Sequence, residues 1–60
     1  MTLQQLKLES IELAKQHPHY EDQIRELYFL AHDEIEDGGS EAHECELAIS
    51  DMESLVMDGE

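Results

Sequence analysis

The sequence predicts an all-α fold: a short N-terminal helix followed by a long antiparallel helical hairpin, completing a bundle by self-association. Three observations lead to it. Apolar residues recur at three- and four-residue intervals in three successive stretches, which Pro18 and Gly38-Gly39 separate. No stretch alternates apolar and polar residues as a half-buried strand does. The chain is also small, and a domain of this length buries only about 60 % of the surface its unfolded form exposes. Leu, Ile, Val and Phe fill fourteen of 60 positions, little more than a highly charged chain needs to escape disorder. Cys45 is the single cysteine, so no internal disulfide can compensate and a second subunit is the expected remedy.

The first helix is expected over about residues 3–16. Thr2 and Gln5 have the spacing of a capping box, in which each residue's side chain satisfies the other's backbone amide. Leu3, Leu6, Leu8, Ile11, Leu13 and Ala14 then spread over more than half of the helix circumference. Packing against one neighbour buries a narrower stripe, so this helix is expected to touch a second surface, such as a symmetry mate. Pro18 ends it, because the residue before a proline is pushed out of the helical region and Pro itself suits a new first turn.

The second helix is expected over about residues 18–37. Tyr20, Ile24, Leu27, Tyr28, Ala31 and Ile35 follow one face, and Leu30 widens it. Glu21 and Asp22 suit the positive end of the helix dipole. Gly38 fits the left-handed position just past a helix end, and Ser40 fits the cap of the next helix. The third helix, about residues 41–57, carries Ala42, Cys45, Ala48, Ile49, Met52, Leu55 and Val56 on one face. A Gly-Gly-Ser connection makes the last two helices antiparallel neighbours. Equidistant positions should then meet: Ile35 with Ala42, Ala31 with Cys45, Tyr28 with Ile49, Ile24 with Met52, Tyr20 with Val56. These pairs grow larger away from the turn, so a wider gap at the far end is expected to receive the first helix. Asp58-Gly59-Glu60 is expected to fray.

Charge bounds the function. Beyond Arg25 the sequence has twelve carboxylates and no Lys or Arg, and the formal net charge is −13. Such a field repels nucleic acid and anionic membrane and attracts basic surfaces or cations. A helix–turn–helix reading fails for the same reason, since the third helix would meet phosphates with carboxylates and no base. No apolar run approaches the ~18 residues of a membrane span. The first residues lack the basic and apolar blocks of a signal peptide, so a cytoplasmic location is expected.

Motifs for chemistry are sparse. From Asp33, acids stand at positions one, five, nine and twelve of a would-be calcium loop, with Gly38 at six. Ile35 occupies the third ligand position, however, and Ile35 also completes the apolar stripe of the second helix. An acidic helix end followed by a glycine turn is the simpler reading, with weak calcium binding as an alternative. His32 and Glu36 are one turn apart and can share a cation, but the Glu-x-x-His pairs of di-iron bundles are absent, so no metal site or cofactor is expected. His43 and Cys45 diverge by about 160 degrees around a helix, and surrounding acids disfavour a thiolate. No phosphate loop, nucleophile elbow or dinucleotide fingerprint occurs, and an enzyme is not expected.

The stretch from Leu27 to Glu44 contains Asp33-Glu34-Ile35-Glu36-Asp37-Gly38-Gly39-Ser40-Glu41, followed by His43-Glu44. It resembles short acidic open reading frames of tailed phages, over roughly residues 17–56. The resemblance implies a setting, the cytoplasm of an infected bacterium, and no activity. From the residues themselves, the leading expectation is a non-enzymatic acidic interaction module that forms a homo-oligomer. Glu34, Asp37, Glu41, Glu44 and Asp51 would engage a basic protein, with Phe29 or Leu47 as apolar anchor because both lie off the apolar stripes. The alternative is a DNA mimic whose carboxylates imitate phosphates and inhibit a nucleic-acid-binding protein.

Overall fold

Thr2 opens the first helix by the expected reciprocal bonds. Its hydroxyl accepts from the Gln5 amide at 3.2 Å, and its own amide donates to Gln5 Oε1 at 3.1 Å. The structure, a computed structural model, describes residues 1–58, so Gly59 and Glu60 of the expected frayed tail lie outside the described residues. Three α-helices, α1 (Leu3–Gln16), α2 (Glu21–Glu36) and α3 (Glu41–Asp58), account for nearly all of these residues, with no strand among them.

The second helix begins later than expected. Pro18–Tyr20 form a single 3-10 turn, closed by the Tyr20 amide on the His17 carbonyl at 2.9 Å. Tyr20, at φ −108° and ψ 9°, lies in the sparsely populated bridge region, so α winding starts only at Glu21. The tighter turn reverses the chain in few residues and lets α2 pack back along α1.

Two glycines end α2 in a Schellman arrangement. Gly38 takes a positive φ of 106°, its amide donates to the Ile35 carbonyl, and the Gly39 amide donates to the Glu34 carbonyl at 2.8 Å. A side chain at Gly38 would meet strain from the backbone itself. One at Gly39 would place its Cβ 2.7 Å from the Glu34 carbonyl oxygen. Ser40 then accepts a long hydrogen bond, 3.4 Å, from the His43 amide at the start of α3.

All three helices contact one another. Leu6, Ile24, Cys45 and Met52 are wholly enclosed, with Ala31, Ala48 and Val56 nearly so. Tyr20, Leu27, Tyr28, Ile35, Ile49 and Leu55 pack against this centre. Of the positions expected to meet across the turn, Ala42 alone stands outside the core, because it is exposed. Leu30 is also more than half exposed, so it does not widen the buried stripe.

The position of α1 also departs from expectation. Leu6 is at the centre of the core, and the Leu3 amide donates to Glu41 Oε2 at 2.9 Å, so α1 and α3 begin at the same end of the bundle. Thus α1 runs the length of the bundle and does not merely fill a gap at its far end. Ser10, a polar residue in the middle of the apolar stripe between Leu6, Leu13 and Ala14, is buried on this helix. Its hydroxyl donates to the Lys7 carbonyl at 2.8 Å, which satisfies the group within its own helix. Leu8 and Ile11 remain 59 % and 42 % exposed.

Two variants test this packing. Leu6→Ala should cost about 2–4 kcal/mol, a large share of the ~3–9 kcal/mol available to a domain of this size, and should melt α2 and α3 along with α1. Gly38→Ala should cost about 1–2 kcal/mol through backbone strain alone, lowering the midpoint by roughly 4–8 °C per kcal/mol. Thermal melts followed by circular dichroism check both; a native-like melt for Leu6→Ala would contradict a core shared by three helices.

Candidate functional site

The residues expected to bind a partner divide between two separate faces. Glu34 and Asp37 are exposed at the end of α2, where with Asp33 and Glu36 they surround a shallow, wholly acidic concavity. Glu44 lies half-buried beside the same turn, its Cγ 3.3 Å from the point a Gly39 Cβ would occupy. Leu47 is 48 % exposed on α3, one helical turn beyond Glu44 and one turn before the exposed Asp51. Glu44, Leu47 and Asp51 therefore follow one edge of α3 that starts beside the acidic turn holding Glu34 and Asp37.

Glu41 has a different task. One carboxylate oxygen accepts the Leu3 amide, so it satisfies an orphan donor at the start of α1 and meets the positive end of that helix dipole. A residue expected to face a partner thus joins α3 to α1 across 38 positions of sequence. Short-range patterns carry no signal of such a bond.

Phe29 lies on the opposite side of α2 from Glu34. It edges a groove of about 510 Å³ between α1 and α2, whose apolar walls include Ile11, Ala14, Ile24 and Tyr28. Its ring meets Tyr28 edge-on, with centroids 5.5 Å apart. Lys7, Lys15 and Arg25, the only Lys and Arg residues of the chain, all line this groove. Arg25 pairs with Glu21 at 2.7 Å on the surface of α2. Among the described residues, Lys7 and Lys15 take part in no ion pair within the chain. The sequence reading missed this basic groove, although the Lys7, Ile11, Lys15 spacing marks one helical face.

The remaining titratable clusters are simple. His32, Asp33 and Glu36 bring one potential ligand atom each within 4.8 Å of one another, and His32 Nε2 lies 3.6 Å from Glu36 Oε1. All three sit on adjacent turns of one helix, with Asp33 and Glu36 exposed. Residues 33–36 remain helical, so the twelve-residue calcium loop is not formed; making it would unwind the last turn of α2 and withdraw Ile35 from the core. Cys45 is enclosed by the core, and its thiol pKa is raised, first by desolvation and then by Glu41, against an opposite effect of the N-terminal ammonium, with Glu44 adding a lesser rise.

Carboxylates otherwise occupy the exposed faces of all three helices. They surround the bundle and do not form a single row. No helix among the described residues is long and apolar enough to cross a membrane. No protein family matches the chain, and no curated protein or solved structure is significantly similar to it.

The thiol gives a pH-dependent prediction. Because burial raises the native pKa of Cys45, the unfolded thiol releases its proton first as pH rises. The stabilisation is fully present below the unfolded value, about 8.5, and is lost as pH climbs through the native one. Cys45→Ala should therefore flatten part of the alkaline decline in stability above about pH 8.5. Denaturant titrations of both chains check this, and a decline identical in the two would contradict it.

Proposed function

We propose that the chain is a non-enzymatic protein–protein interaction module that self-associates and offers an acidic surface to a basic protein. The observation that carries this reading is the acidic turn of Glu34 and Asp37 leading into an edge of α3 where exposed Leu47 stands between Glu44 and Asp51. An aliphatic anchor flanked by like charges suits a partner with an apolar pocket and a basic rim. Charge supplies encounter rate and selectivity, and Leu47 supplies area removed from water. Glu41 belongs to the fold more than to this surface, since its carboxylate is held by the Leu3 amide.

Self-association is supported by size and by exposure. Leu8, Ile11, Phe29 and Leu30 are each more than two-fifths exposed, a large apolar display for a chain of 60 residues. The phage resemblance would place such a module among the proteins of a bacterial host. DNA mimicry draws no support from carboxylates distributed around a bundle.

Capture from bacterial lysate on immobilised chain tests the acidic surface. Basic proteins should be retained at about 50 mM salt and released by about 500 mM, as screening shortens the reach of exposed charge. A Glu34→Gln/Asp37→Asn/Asp51→Asn chain should lose most of them, and Leu47→Ala should weaken each interaction about tenfold or more. If the same proteins stay bound to the triple variant and in high salt, the acidic surface is not the binding surface.

A further inference from the structure

We propose that the α1–α2 face binds the same face of a second copy about a two-fold axis, with α1 of each chain lying on α2 of the other. The inference rests on the reading of a self-associating module and assigns that association to one surface. On α1, exposed Ile11 is flanked one turn away on each side by Lys7 and Lys15, with Leu8 beside it. On α2, exposed Phe29 has Glu26 and Asp33 one turn away toward one side, with Asp22 and Glu36 beyond them, and Arg25 one turn before it on the groove side. One helix therefore offers an apolar centre between two bases, and its neighbour an apolar centre among four acids and one base, Arg25, which Glu21 already pairs at 2.7 Å.

The spacings match. Lys7 and Lys15 are separated by about 12 Å of helix rise, and Glu26 and Asp33 by about 10.5 Å. When Ile11 and Leu8 of one chain cover Phe29 of the other, both lysines come within reach of both acids. A two-fold axis repeats every such contact, so the face is complementary to itself. It would be poorly suited to a partner of either single sign, because half of it would meet like charge. This pairing also uses the two lysines that have no ion-pair partner within the chain among the described residues. The groove between Ile11 and Phe29 would receive the partner's side chains and lose its water.

The interface asks for a large share of the surface. A stable interface takes about 800 Å² from each partner, roughly a fifth of the 4244 Å² that this chain exposes. Glu44, Leu47 and Asp51 lie on α3, outside this face, so pairing would leave them open, whereas Asp33 and Glu36 also border the acidic concavity at the end of α2.

Charge reversal tests the proposal. Lys7→Glu/Lys15→Glu gives a chain acidic on both helices, and Glu26→Lys/Asp33→Lys gives one basic on both. Each alone should dimerise on the order of 100-fold more weakly than the unaltered chain in sedimentation equilibrium, because like charges now face one another. Mixed together, the two should form a heterodimer, since each acidic helix then meets a basic one. Circular dichroism follows the fold, and recovery of helix on mixing counts equally if the separated chains unfold. If the unaltered chain dimerises but neither reversal weakens it, the assigned face is wrong while self-association stands. If the unaltered chain remains a folded monomer at all concentrations, both readings fail.

Discussion

Leu6, Ile24, Cys45 and Met52 are the four large side chains that water does not reach, and they come from three different helices. That meeting point is the constraint on which the rest of the structure depends. Each helix buries only part of its circumference, and no two of them enclose the centre. Without α1, Met52 and Cys45 would lose the cover that makes α2 and α3 worth ordering. Helices of this length are marginal by themselves in water, so helical order and tertiary packing arise together.

The core also decides where charge goes. Burying a carboxylate without a partner is costly, so the apolar stripes turn the acids outward on every helix. The three bases are turned out as well, but on the one side where α1 and α2 adjoin. A chain of net charge −13 thereby acquires one face that gathers all its bases and, elsewhere, surfaces that are purely acidic. The two have different physical uses. The proposed pairing of two copies uses the mixed face, and the proposed basic partner uses the acidic one.

Much of this was legible in local sequence because local rules produced it. Thr2 with Gln5, Pro18, Gly38 and Ser40 mark helix boundaries through bonds spanning three to five residues, and the structure contains those bonds. Periodicity likewise placed Ile24, Ala31, Cys45 and Met52 inside. What escaped is non-local or sterically subtle. The bond between Leu3 and Glu41 exists only once α1 and α3 start together, and it turned an expected contact residue into a capping one. Lys7, Lys15 and Arg25 are scattered in sequence and gather only when α2 folds back on α1. The broad apolar stripe of α1 was visible, but not that Leu8 and Ile11 would stay outside the core. Proline alone could not distinguish a 3-10 turn at residues 18–20 from the start of an α-helix.

The account therefore depends on α1 being an integral third of one cooperative unit, for both the core and the mixed face require it in place. Native-state hydrogen exchange measures this directly, because it reports the opening free energy of each amide separately. The amides of Leu6, Ser10 and Leu13 should be as protected as those at the centres of α2 and α3, and all should respond alike to denaturant. Exchange of the α1 amides near the rate of an unstructured peptide, with α2 and α3 still protected, would contradict the account.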